Sequence, residues 1–235
     1  MKNQISRSAG TLLRSGFLVL TLACSSLWVG CSGCQSPAVV SAPASNLDVN
    51  FAVSDVTETP SDGKVIVVMQ FLQGGSVVQL GSDATVTCNG VPLTFNALFS
   101  GHAARVPLQQ PGGVYAFSHS RGGVNTNVSI TAPPRPVFSA PTTAGATLAR
   151  TSGFTIHYVA GTGTAVIGDA SDGTHSLNNS QPDNGAFTGL DVSGFNAGPG
   201  TLSIQREIQN PITGTGFHSA AEKYFVTKMV AITWQ

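Results

Sequence analysis

Five histidines, at His102, His119, His157, His175 and His218, and an Asp- and Asn-rich stretch from Gly168 to Asn184 hold most of the side chains in this 235-residue chain that could move a proton or bind a metal. No two histidines stand at i, i+2 or i, i+4, the spacings that put zinc ligands on one side of a strand or helix, and no HExxH occurs. His119 and His157 fall within β-like runs, where a solvent-facing or hydrogen-bonded imidazole is expected rather than a catalytic one. No serine sits in a G-x-S-x-G elbow. Gly161-Thr162-Gly163 and Gly214-Thr215-Gly216 open like a dinucleotide-binding loop, but the sixth position is Val166 or Ser219 and no helix pattern follows, so they read as turn glycines. A hydrolase would need a histidine, a carboxylate and a nucleophile brought together in a cleft.

The stretch GDASDGTHSLNNSQPDN carries Asp169, Asp172 and Asp183 with Asn178 and Asn179. Calcium takes six to eight oxygen ligands, and these three carboxylates are the weak candidates for it. Their spacing does not match an EF-hand loop, and Asx and Gly dominate ordinary turns because they tolerate positive φ and bond their own backbone, so a turn-rich loop is the stronger reading. No cofactor is expected. A binding role would draw on exposed aromatics, with Tyr115, Phe117, Tyr158, Phe187, Phe195 and Trp234 as candidates, although a small β-sandwich needs most such rings in its core.

The elements that must position these residues are strands. Only 9% of residues are charged, glycine numbers 27, and long stretches rich in Glu, Lys, Leu and Ala are absent. In the first part, residues 47–132, LDVNFAV alternates, KVIVVMQFL from Lys64 is nearly continuously apolar as a strand covered on both faces would be, and Asn89-Gly90 between two β runs predicts a type I′ hairpin. A second hairpin is expected over residues 113–130, turning at Arg121-Gly122-Gly123, with Val114, Ala116 and Ser118 alternating with Tyr115, Phe117 and His119. Ala132-Pro133-Pro134-Arg135-Pro136 forbids a helix and reads as a stiff joint. In the second part, residues 133–235, GFTIHYV and TLSIQREI alternate and Tyr224 to Trp234 suits a long last strand. Strands every 8 to 12 residues or so in two units predict an all-β chain of two tandem antiparallel sandwiches.

At the N-terminus, Lys2, Arg7 and Arg14 precede the apolar run from Phe17 to Val29, which Ser25 and Ser26 interrupt. The run is shorter than the roughly 20 residues that span a bilayer, so an export signal over residues 1–30 is expected. Its end, Leu27-Trp28-Val29-Gly30-Cys31-Ser32, resembles the lipobox of bacterial lipoproteins, which implies diacylation at Cys31 and cleavage just before it. An ordinary secretory signal is the alternative. Removing the three signal cations leaves 8 basic residues against 11 acidic, a net charge of −3, which does not attract nucleic acid. Residues 31–46, small and polar with Pro37 and Pro43, are expected to form a flexible tether. Cys24 lies in the signal, Cys34 in the tether and Cys88 in a strand run; an exported protein could pair the last two, but a buried free thiol at Cys88 is the expectation.

Residues 47–132 and 133–235 each resemble the immunoglobulin-like and fibronectin type III-like domains of bacterial surface proteins in layout, without the Cys…Trp…Cys pattern of antibody domains. Together the resemblances imply a non-catalytic protein held by lipid in the cell envelope, at the outer membrane in a diderm, acting in structure or in binding an envelope protein. The alternative is an adhesin or carbohydrate-binding surface lipoprotein with a polysaccharide partner.

Overall fold

Alternation and turn glycines dictate strand after strand, and the computed structural model, which describes residues 36–56, 60 and 62–235, is all-β. Cys31, Cys34 and the signal run lie outside the described residues. The strands in the first part are Ala38–Val40 (β1), Asp48–Asp55 (β2), Lys64–Gln73 (β3), Ser76–Leu80 (β4), Ala84–Cys88 (β5), Val91–Pro92 (β6), Thr94–Asn96 (β7), Gly101–Pro107 (β8), Val114–Arg121 (β9) and Val124–Thr131 (β10). Then come Thr147–Leu148 (β11), Phe154–His157 (β12), Ala165–Ser171 (β13), Ser176–Gln181 (β14), Ala186–Leu190 (β15), Gly198–Pro211 (β16) and Ser219–Trp234 (β17).

One long sheet runs in the order β1-β4-β3-β2-β17-β16-β13-β14, with β8 also paired to β3, β7 to β8 and β11 to β17. Two smaller sheets, β10-β9-β5-β6 and β12-β15, supply the facing layers. In the first core, Val49, Phe51, Val67, Met69 and Phe71 from the long sheet meet Val86, Tyr115, Phe117, Val128 and Ile130 from the β5–β9–β10 sheet. Phe51 stands edge-on to Phe117 at 5.1 Å across that interface. In the second core, Val166, Leu202, Ile204, Val230 and Ile232 meet Ile156, Phe187 and Leu190 from β12 and β15, and Phe154 packs edge-on against Trp234 at 5.2 Å. Each core is thus a β-sandwich interior.

Both hairpins form where the turn residues placed them. Asn89 and Gly90 take φ of 49° and 78° between β5 and β6, and Gly122 and Gly123 take 56° and 79° between β9 and β10. The apolar run from Lys64 becomes the central strand β3, buried on both faces from Val67 to Phe71.

Three features depart from the sequence reading. Three strand pairs are parallel rather than antiparallel: β1 with β4, β11 with β17, and β2 with β17. Parallel neighbours require long connections, and β17 is separated from β2 by nearly the whole chain. The expected tether is bound to the body from Ala38 onward, because β1 takes the free edge of β4, the Gly81 amide donates to the Val40 carbonyl, and Arg121 Nη1 donates to the Ala42 carbonyl. The stretch Gly168 to Asn184 is a hairpin, not a loop: its Asn residues face Asp169 and Gly168 across the β13–β14 ladder, where a polar sequence is tolerated because β14 ends the sheet.

The hairpin β16–β17 runs through both cores. Ile208, Phe217, Ala220, Tyr224 and Val226 belong to the first, Leu202, Ile204, Val230, Ile232 and Trp234 to the second. Residues of the expected second module therefore complete the core of the first. Between the two apolar sets lies a belt of buried polar groups, Asp55, Gln205, Arg206 and Thr227. Arg135 of the proline-rich joint closes it, donating to Asp55 Oδ1 and to the Thr227 carbonyl, both at 2.5 Å.

Candidate functional site

The three aspartates singled out as calcium candidates have separate local partners. Asp169 on β13 accepts from Ser176 Oγ at 2.9 Å, and burial raises its carboxyl above the ordinary value. Asp172, in the β13–β14 turn, accepts from the amides of Thr174, His175 and Asn196 at 2.7, 2.5 and 2.6 Å and pairs with His175 Nδ1 at 2.8 Å. Burial alone would raise that carboxyl, but these donors hold it well below the usual carboxylate range. Asp183 accepts from Arg206 Nε at 2.6 Å and from the Gly163 amide at 3.0 Å, and the ion pair is almost fully buried. Among the described residues no group of three or more His, Cys, Asp or Glu is gathered as a metal site would require.

His102 and His119 pack against the same Phe71 ring, at 5.6 and 5.7 Å, and the other histidines fall elsewhere. His218 Nδ1 meets Asp48 Oδ1 at 2.7 Å, joining residues 170 positions apart, and His175 meets Asp172 three residues before it. Both pairs have the orienting carboxylate of a hydrolytic triad. Neither has its nucleophile: Ser219 Oγ donates to Asp48 Oδ1 rather than to the imidazole, and Ser171 Oγ donates to the His175 carbonyl. Among the described residues no hydroxyl or thiol is bonded to a histidine ring nitrogen. Cys88 is buried and free, and burial pushes its thiol up to about 12, so no thiolate is present near neutral pH.

His119 departs from the reading of β9 most. It is 1% exposed, neither solvent-facing nor hydrogen-bonded, and both ring nitrogens lack a partner. Its position was visible in the alternation, since it shares parity with Tyr115 and Phe117, the inward pair. His119 forms part of the wall of a pocket of about 390 Å³, with Ser41, Pro43 and Ala44 from the segment after β1 and Arg121 and Thr126 from the β9–β10 hairpin. His102 is also buried, and its Nε2 accepts from the Leu80 amide at 3.4 Å.

The six aromatics considered for binding are all in the cores, none more than 4% exposed. Among the described residues no Phe, Tyr or Trp side chain is exposed; the exposed large apolar residues are Val39, Leu98, Val114, Val124, Val137, Val159 and Met229. Also among the described residues, no helix is long and apolar enough to cross a membrane.

No family model matches the chain, and comparison with curated proteins finds no match. Among solved structures, the chicken CNTN1 FN1–FN3 domains are similar at 11% identity and a TM-score of 0.25, with 85% of this chain and 67% of that chain covered. Domains 4 and 5 of the S-layer protein SbsC are similar at 14% identity and a TM-score of 0.25, with 82% of this chain and 99% of that chain covered. Scores this low leave the β-sandwich assignment resting on the strands and cores of the chain itself.

Proposed function

We propose that this chain is a lipid-anchored, non-catalytic cell-envelope protein that presents two β-sandwich cores as one stiff unit, for structural support or for binding another envelope protein. The observation that carries the reading is the β16–β17 hairpin, whose residues complete both cores, with Arg135 of the joint fixed to Asp55 and to the Thr227 carbonyl. A hinge would need a flexible connection between the two parts; here the connection is 14 backbone pairs of the same antiparallel ladder. The two Asp–His pairs without a nucleophile favour a binding or scaffolding role over hydrolysis. The absence of an exposed Phe, Tyr or Trp among the described residues favours protein contact over sugar stacking.

The anchor part of the proposal rests on Cys31 and its lipobox-like surroundings. Two acyl chains hold a protein stably at a bilayer where one does so only marginally. Expressed with its own signal in a bacterial host, the protein should partition into detergent, and its intact mass should correspond to a chain beginning at Cys31 plus a diacylglycerol and an N-acyl group. Cys31→Ala should abolish both properties. An unlipidated product in the aqueous phase contradicts the anchor.

A further inference from the structure

Asn-Gly occurs twice in the chain, at Asn89-Gly90 and Asn184-Gly185, and both asparagines are exposed in connections between strands. A glycine after an asparagine leaves the next backbone nitrogen uncrowded, because it carries no Cβ, so that nitrogen can reach the side-chain carbonyl carbon. The fold treats the two sites differently. At the β5–β6 turn, Asn89 Oδ1 accepts from the Ala116 amide at 2.7 Å and Nδ2 donates to the Val114 carbonyl at 3.2 Å, so both atoms of the carboxamide are held on β9, away from Gly90. The Asn89 amide also donates to the Ala116 carbonyl at 2.8 Å, which fixes its backbone to the same strand.

In the β14–β15 connection, Asn184 Oδ1 accepts from the Ala186 amide at 3.1 Å, a bond that bends the side chain forward along its own backbone past Gly185. That donor also points at the oxygen on which negative charge develops when the side-chain carbonyl is attacked. Among the described residues, neither Asn184 Nδ2 nor the Gly185 amide has a hydrogen-bond partner, so the leaving group and the attacking nitrogen are both free. We propose that Asn184 is a site of spontaneous covalent modification, converted to aspartyl and isoaspartyl residues through a cyclic imide with Gly185, and that Asn89 is protected from the same reaction. The Gly185 nitrogen bonds to Asn184 Cγ and gives up its proton, the Cγ–Nδ2 bond breaks, and Nδ2 leaves with that proton as ammonia. Water then adds to either imide carbonyl and breaks its bond to the ring nitrogen, with no oxidant or reductant involved. Each event adds a carboxylate next to Asp183, which holds Arg206, and the isoaspartyl product lengthens the main chain between β14 and β15 by one methylene. The site goes beyond the display role and does not depend on it.

The test is a time course of the full mature protein, incubated folded in warm neutral buffer and in parallel unfolded in urea. Peptide mapping by mass spectrometry, after digestion at mildly acidic pH so that the workup adds no conversion, follows the exchange of NH2 for OH at each asparagine and separates the aspartyl from the isoaspartyl product. In the folded protein Asn184 should convert at least about tenfold faster than Asn89. In urea the two should convert at rates within about threefold of each other, because the protecting bonds to β9 are gone. Asn184→Gln should remove the modified peptide from the folded sample and leave the slow rate at Asn89 unchanged. Conversion of Asn89 in the folded protein as fast as that of Asn184 overturns the proposal. So does an Asn184 that stays intact in the folded protein while the unfolded chain converts it, or a tenfold preference already present in urea, which would place the difference in the flanking sequence rather than in the fold.

Discussion

At the scale of single residues, the consequence of burying two imidazoles in one core is a dependence on pH. Burial pushes the basicity of both His119 and His102 below the ordinary value, with Arg121 adding to the effect on His119 and His119 itself adding to that on His102. The unfolded chain takes up a proton on each near pH 6.5, while the folded chain resists until lower pH. Stability is therefore complete above about pH 6.5 and falls as the pH drops through and below that value. Each histidine contributes up to about 1.4 kcal/mol of loss at pH 5.5. Urea midpoints at pH 7.5 and 5.5 measure the effect, and His119→Phe should shrink the difference by about one histidine's share; an unchanged difference would exclude His119 as a source. Little of this residue chemistry could be read in advance. The parity of His119 with Tyr115 and Phe117 was available, but the pairing of His218 with Asp48 joins distant strands and the partner of Asp183 is Arg206 on β16, contacts that only the tertiary fold creates.

At the scale of elements, local turn chemistry proved the most legible part of the chain, and it carries its own test. Gly90 holds φ of +78° in the β5–β6 turn, with open space where a Cβ would stand, so Gly90→Ala meets backbone strain alone. That strain costs roughly 1–2 kcal/mol, and thermal denaturation should show a drop of a few degrees. Gly194→Ala, also in open space but without a positive φ, should leave the midpoint nearly unchanged. Equal effects of the two substitutions would contradict the turn assignment. Elements with weak or misleading local signals were less legible. β14, SLNNSQ, is polar except for Leu177, which packs against the second core, because it closes the sheet, and so it looks like a loop. β1 is short and preceded by small residues, and only its pairing with β4 makes it a strand. Parallel neighbours such as β2 and β17 leave no mark in either strand's own alternation.

At the scale of the whole described unit, the fold class followed from spacing and composition, but the way the two cores share a hairpin did not. Ile208 and Val230 alternate as any half-buried strand residues do, and nothing local says which core each will enter. The shared hairpin makes the central claim, that the two cores form one stiff unit, directly measurable with probes already in the sequence. In residues 36–235, Trp234 is the only tryptophan and lies in the second core, while Cys88 is the only cysteine and lies in the first. Trp234 fluorescence and Cys88 labelling by a thiol reagent, followed across one urea series, report the two cores separately. Coincident transitions with a single midpoint are the predicted result. Two midpoints, with one probe released while the other stays buried, would contradict it.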